Sequence, residues 1–486
     1  MERLRASRTN VIFAVILTAT GAWSMLTSLV VPVLPVIQRD LGTDQATVTW
    51  ILTAYLLSAS VATPIVGRIG DSFGKKRTLL AVLAVFALGV VLAGLATSIR
   101  PMIAARAVQG IGGAILPLGF GILRDQMPAA RVSSSISATA AVVAVGGGLG
   151  IVMAGPIASA LNYHYLFWFP LVLVAASFLA AVRFIPETTT GTGQRIDLLP
   201  AVSLAGWLVT LLLAVSQGGA WGWTSPTVVS LLIAAVVLAA LWIYTETRSS
   251  SPLVDITMMR KRPVWSTNLV ALLFGIDMYS ALGLLPQFLQ TPAAEGYGFG
   301  ASVTGAGLYL LPMTAVMFVS GLAAGPLMVR LGARGSLVLG AALTAGPFAI
   351  LAWAHEQPWQ IYLASALLGA GLGLAYASLS AVIVAAVPAH QTGVASGMNA
   401  NIRTIGGSIG NAVAAGIVTA RLTQSGLPVA SGYTSAFVFL LAVGILAAAA
   451  ALLVPSGHSG VAADGPATAD DSRLAVPGAQ EPAPAS

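Results

Sequence analysis

Apolar residues fall along this chain in long runs separated by short polar and basic segments. A helix needs about 20 apolar residues to cross the roughly 30 Å of hydrocarbon in a bilayer. Runs of that order occupy 11–36, 46–66, 79–98, 101–123, 134–161, 164–185, 198–217 and 226–245. They resume at 264–289, 302–327, 336–354, 360–386, 394–420 and 433–454. The pattern predicts an all-α, polytopic membrane protein with 14 transmembrane helices, spans 1 to 14. Span 1 is too long for a signal peptide and no small-residue cleavage site precedes the next run, so it is read as a retained helix behind Arg3, Arg5 and Arg8.

Composition agrees with the pattern. Charged residues make up 8% of the chain, where a soluble globular protein carries about 25%. The 23 Lys and Arg against 16 Asp and Glu leave a net charge of +7. With the N-terminus inside, eighteen of the basic residues fall in inner segments and three, Arg39, Arg100 and Arg421, in outer ones. That division is the positive-inside bias of a bacterial inner membrane with both termini cytoplasmic. Trp221, Trp223, Trp353 and Trp359 fall at the outer ends, as an aromatic belt requires. The basic clusters suit an anionic leaflet rather than a nucleic acid, for which no binding is expected. Cysteine is absent, and the four histidines at 164, 355, 390 and 458 are scattered. Neither a metal site nor a cofactor is expected.

The chain repeats itself at long range. Met127-Pro128-Ala129 precedes Val145-Gly146-Gly147-Gly148-Leu149-Gly150, and 260 residues later Val387-Pro388-Ala389 precedes Ile405-Gly406-Gly407-Ser408-Ile409-Gly410. Gly67 and Gly74 are echoed by Gly325 and Gly332 at an offset of 258. An offset that returns to the same side of the membrane implies parallel repeats, two pseudo-symmetric six-helix bundles with an inserted helix pair between them. The expected division is an N-terminal bundle over 1–190, inserted helices and inner loop over 191–262, a C-terminal bundle over 263–455, and a disordered cytoplasmic tail over 456–486.

Between spans 2 and 3 lies Gly67-Arg68-Ile69-Gly70-Asp71-Ser72-Phe73-Gly74-Lys75-Lys76-Arg77. Glycines serve a short turn, and the cations face the inner leaflet. An acid among them is less expected. Asp71 either is held by the positive end of another helix, span 13 in the opposite half being the candidate, or is a solvated residue of an ordinary loop. Span 4 carries Arg106-Ala107-Val108-Gln109-Gly110-Ile111-Gly112-Gly113. An Arg at membrane depth costs at least about 2.5 to 3.5 kcal/mol, so Arg106 should face a central cavity and find acceptors, the alternative being an Arg that snorkels or bonds to broken-helix carbonyls. Span 5 carries Gly150, Gly155 and Pro156, small residues for close packing and a proline for a bend.

These strings resemble those of the major facilitator superfamily. The loop is similar to the superfamily's signature loop, and fourteen spans with it resemble the drug:proton antiporter branch. The resemblance covers residues 11–454. It implies a gate in which Asp71 and Lys75, with Gly67 and Gly74 at the turn, meet Asp125 at the foot of span 4. It also implies that Arg106 takes part in proton coupling and that Gly150, Gly155 and Pro156 belong to an antiporter-like motif. Two departures stand out. Ser159-Ala160 occupies a family Gly-Gly position, which leaves export and import both open, and Ser24-Met25-Leu26-Thr27-Ser28 stands where an acid is common.

Asp277 in span 9 and Arg403 in span 13 are the other embedded charges. Buried charges of this kind are functional candidates, so both join the proton-coupling set, with a structural Asp277–Arg403 pair as the alternative. Trp50, Tyr55, Gln109, Tyr279, Gln287, Met313, Met317, Asn399 and Asn401 are the candidate cavity lining, aromatics and methionines with a few amides. Gly406-Gly407-Ser408-Ile409-Gly410 fits a serine-hydrolase pattern, but it lies in a span with no strand beside it, and Gly369-Ala370-Gly371-Leu372-Gly373 follows no strand either. The expected function is therefore not enzymatic. It is secondary transport of a small molecule by a monomer in the bilayer: proton-driven export of hydrophobic or cationic drugs or metabolites by alternating access. A proton symporter or a dedicated exporter of one metabolite is the runner-up.

Overall fold

The computed structural model describes residues 2–187, 197–249, 252–423 and 427–456. The expected tail lies outside the described residues from 457 onward, as do Arg195 and Arg473. Among the described residues every regular element is helical, apart from one isolated bridge between Leu422 and Pro428.

The helices run in order as α1 Glu2–Leu29, α2 Leu34–Asp40, α3 Gln45–Phe73, α4 Lys75–Gly94, α5 Ile99–Gln109 and α6 Ile115–Gln126. They continue with α7 Ala129–Ala160, α8 Tyr165–Phe184, α9 Leu198–Trp221, α10 Pro226–Arg248 and α11 Ile256–Met259. The last five are α12 Arg262–Gln290, α13 Val303–Trp353, α14 Pro358–Ala386, α15 Thr392–Thr419 and α16 Ala430–Ala451. Their boundaries have local causes. Asp44 caps α3 by accepting from the Thr47 N–H at 2.8 Å, and Ser225 with Pro226 starts α10. The α3–α4 turn is made at Gly74, with φ +110°, a backbone that side chains disfavour. Val31-Pro32-Val33 form a tight turn after α1, so the apolar run expected to end at 36 leaves its first helix at Leu29.

Among the described residues twelve helices are long and apolar enough to cross a membrane. One of them, Thr304–Trp353, holds two of the expected runs and is broken at Gly332, where φ is +72°. Helix α15 is as long as the others but falls outside the twelve, because Asn399, Asn401, Arg403 and Thr404 dilute its apolar character. The fold is thus an all-helical membrane architecture.

The repeat read from sequence recurs in the packing. A Cβ on Gly146 or Gly150 of α7 would meet the backbone of Gly21 or Met25 in α1, and one on Gly406 or Gly410 of α15 would meet Leu272 or Ile276 in α12. Gly67 of α3 lies against Gly393 of α15, and Gly325 of α13 against Ser134 of α7. Small residues thus let backbones approach at corresponding places in the two halves. Two large apolar cores form, one around Leu26, Phe86 and Phe167 and one around Phe288, Phe348 and Phe437 that also takes in Leu116 and Phe120 of α6 and Ile136 and Ala140 of α7. A third cluster joins Leu204, Leu208 and Trp242 of α9 and α10 to Val394, Met398 and Ile405 of α15. The pair α9–α10 therefore lies along the α3–α15 seam.

Candidate functional site

Two features meet at that seam: a polar latch at one end and a cavity at mid-depth. In the latch, Asp71 is 4% exposed, and its Oδ2 accepts from the backbone N–H groups of Gly393 at 3.1 Å and Val394 at 3.3 Å. These are free donors in the first turn of α15, so a carboxylate of one half closes on the positive end of a helix in the other. The Lys75 Nζ lies 2.7 Å from Asp125 Oδ2 and 3.9 Å from Asp71 Oδ1. A Cβ on Gly67 would sit 2.8 Å from the Gly393 carbonyl, so glycine is what lets the two backbones meet there. The structure thus brings together Gly67, Asp71, Gly74, Lys75 and Asp125.

Sequence reasoning missed Arg124. Its Nη1 donates to the Val384 and Val387 carbonyls, each at 2.7 Å, and to the Thr392 hydroxyl at 2.8 Å. It therefore ties α6 to the carbonyl end of α14, where a cation is favoured. The available signal was its place next to Asp125 at the foot of span 4. The connector before α12 also reaches the latch, since Gln391 donates to Asp255 at 3.4 Å. Partial burial pushes the Asp255 carboxyl up, but the Thr257 hydroxyl and the N–H groups of Met258 and Thr257 outweigh it and hold the group below the ordinary carboxylate range.

A cavity of about 240 Å³ lies between the halves. Tyr55, Tyr279, Met313, Met317 and Asn401 line it, together with Trp23, Tyr376 and Arg403. Four other expected lining residues are placed elsewhere. Trp50 lies beside Trp221 of α9, the rings tilted at 41° with centroids 6.5 Å apart, and Gln287 is exposed. Asn399 donates to Asn268 at 2.8 Å, in a smaller pocket shared with Phe120 and Ser380. Gln109 is fully buried behind the cavity wall, donating to the Gly89 carbonyl at 2.9 Å.

Arg106 is also fully buried. It donates to the Ile51 carbonyl at 3.3 Å and to Gln109 Oε1 at 2.7 Å, and its guanidinium lies 4.5 Å from the centre of the Tyr55 ring. It finds its acceptors, but Tyr55 stands between it and the cavity. The glycines after it explain the close fit: a Cβ on Gly110 or Gly113 would meet Ser58 or Thr63 of α3. The Tyr55 hydroxyl accepts from Trp23 Nε1 at 2.9 Å and lies 3.0 Å from the Thr27 hydroxyl. On the opposite wall Arg403 repeats the theme, with its guanidinium 4.3 Å from the Tyr376 ring centre and Nη2 donating to the Tyr376 hydroxyl at 3.1 Å.

Asp277 is not joined to Arg403. It is 1% exposed, its Oδ1 has no hydrogen-bond partner, and its other oxygen faces Gly444 of α16. The cause is helical rotation. Gly275 packs directly on the Arg403 backbone, and two residues further on, about 200° around the helix, a side chain points to the far side of α12. In the antiporter-like stretch, Gly150 packs on Met25 of α1, while Gly155 faces the Thr304 hydroxyl of α13 at 3.1 Å from a notional Cβ. Pro156 lies inside α7.

A latch between two related halves, a cavity between them and charges buried at membrane depth define a class of membrane transporter. The sequence model of the Major Facilitator Superfamily matches residues 12–199 and 192–411, and the chain belongs to that superfamily. It is similar to the tetracenomycin C resistance and export protein of Streptomyces glaucescens, 28% identical over 392 residues that cover 80% of this chain and 72% of the relative. It is also similar to the multidrug resistance protein Stp of Mycobacterium tuberculosis, 28% identical over 419 residues that cover 85% and 77%. Across these and other curated relatives the matched region spans between 58% and 89% of the relative's length. In fold it resembles the crystal structure of the human organic anion transporter MFSD10 (TETRAN), with a TM-score of 0.68 at 17% identity over 92% of this chain and 99% of that one.

Proposed function

We propose that this protein is a secondary transporter that exports small drug-like molecules across a bacterial inner membrane by alternating access, driven by protons. The observation that carries the reading is the Asp71 latch across the α3–α15 seam, with a cavity behind it. A carboxylate bound to the end of a helix in the other half must let go for the halves to rock apart, which is the motion alternating access requires. The resistance and export named for the curated relatives support the direction of transport.

Fourteen crossings fit this reading. A helix of 51 residues would be about 76 Å long, far beyond a 30 Å core, so the break at Gly332 divides α13 into two crossings. With α15 counted, the total is fourteen, with six in each bundle and α9–α10 inserted between them. The bundles are 1–190 and 263–455, and the basic residues then put both termini in the cytoplasm. The proton is carried by Asp277, whose buried carboxylate without a counter-charge is costly to keep ionised, while Arg106 and Arg403 hold the walls of the cavity in register. One proton supplies about 2.3 kcal/mol per 100 mV and about 1.4 kcal/mol per pH unit. Together these sustain roughly a 500-fold gradient of a neutral substrate.

The test is expression in a bacterium stripped of its own pumps. The reading expects raised resistance to at least one compound of a drug panel, and release of protons by that compound in everted vesicles followed with a pH dye. Membrane-inserted protein that confers neither would overturn it.

A further inference from the structure

We infer that the central cavity takes its substrate as an organic anion on an aromatic frame, with Arg403 as the counter-charge. The inference rests on the export reading and narrows its small drug-like substrates to anionic ones, in place of the hydrophobic or cationic molecules expected from sequence.

Among the described residues that line the cavity, Arg403 alone bears a formal charge. The acids that could offset it are engaged or turned away: Asp71 and Asp125 sit in the latch, and Asp277 faces α16. A second cation, Arg106, stands just behind Tyr55. A cationic ligand would find no carboxylate here and would meet two guanidinium groups at low dielectric, an arrangement that excludes it.

The geometry of Arg403 favours an anion as well. The side chain is 5% exposed, and its Nε has no hydrogen-bond partner. The guanidinium lies over the Tyr376 ring and its Nη2 donates to the Tyr376 hydroxyl, which leaves Nε as a buried donor without a protein acceptor. A buried donor without an acceptor is expensive unless something fills it. A carboxylate or sulfonate matches the guanidinium fork in charge and in shape. Trp23, Tyr55 and Tyr279, with Met313 and Met317, supply flat apolar walls for the rest of the molecule. The volume, just below the roughly 300 Å³ at which drug-sized pockets begin, suits a frame of two fused rings.

Purified protein in zwitterionic lipid nanodiscs can be titrated calorimetrically with three ligands of one shape: 1-naphthoate, 1-naphthamide and 1-naphthylmethylammonium. The inference expects naphthoate to bind at least about tenfold more tightly than the ammonium. Arg403→Gln should weaken naphthoate about tenfold while leaving the neutral amide within about threefold, which also reports that the variant is folded. Arg403→Lys keeps the charge and should keep the order anion over cation. It serves as the variant test if Arg403→Gln fails to insert, and loss of that order in Arg403→Lys counts against the inference. A cation that binds as well as the anion, no binding of naphthoate, or an anion preference that survives Arg403→Gln would overturn it. If the ranking fails in protein that still exports drugs from cells, the inference falls and the export reading stands. Anion binding without export does the reverse.

Discussion

Asp277 and Arg403 lie at similar depth in adjoining helices, and a single glycine decides that they do not meet. Gly275 brings α12 onto the Arg403 backbone, which turns Asp277 toward Gly444 and Arg403 toward the cavity. A proton on Asp277 and a ligand beside Arg403 therefore occupy separate places and can communicate only through the balance of conformations. Asp277→Asn should accordingly leave equilibrium binding of an exported compound within about threefold while abolishing its uphill, pH-driven transport. A loss of binding in step with transport would put Asp277 at the ligand. Depth and charge were readable from sequence, because an ionised group among apolar residues stands out. Rotation was not, since one sequence gives the period of a helix but not its phase against its neighbours. Gln109 and Asn399 show the same gap, being amides at cavity depth whose partners, the Gly89 carbonyl and Asn268, lie behind the wall.

Helix α3 closes on α15 by two means, a carboxylate on two N–H donors and a pair of glycines that let the backbones touch. Hydrogen bonds to a charged group contribute about 1.5 to 3 kcal/mol, so Asp71→Asn should shift the balance of states about tenfold or more. Turnover in export should slow while substrate affinity stays within severalfold, and affinity that falls with turnover would contradict the latch. Gly67→Val should act in the same direction by steric means, because its side chain would occupy the space of the Gly393 backbone. A cysteine introduced by Ala389→Cys at the mouth of the latch should then react faster with a membrane-impermeant maleimide in everted vesicles. An unchanged rate would mean that the seam closes without the glycine contact. The repeat that pairs α3 with α13 and α7 with α15 was legible as strings of glycine at offsets of 258 and 260, and it returns as matched backbone contacts. Arg124 was not legible as part of the latch, because its acceptors are main-chain carbonyls some 260 residues away that carry no mark in the sequence.

At the scale of the molecule, two bundles meet along α3–α15 and α7–α13, with α9–α10 laid over the first seam. In the proposed topology the distribution of basic residues orients the assembly, and fourteen crossings would return the chain to the side on which it began. Alkaline phosphatase fused after Ser486 should therefore be inactive, and the same fusion after Gly222 active. The opposite result would invert the topology. The most direct test of the whole account is uphill transport by purified protein in proteoliposomes, under an imposed pH difference and without ATP. A compound exported in cells should accumulate against its gradient, the accumulation should collapse when an ionophore removes the pH difference, and Asp277→Asn should not support it. Equilibration without accumulation, or accumulation indifferent to the pH gradient, would contradict it.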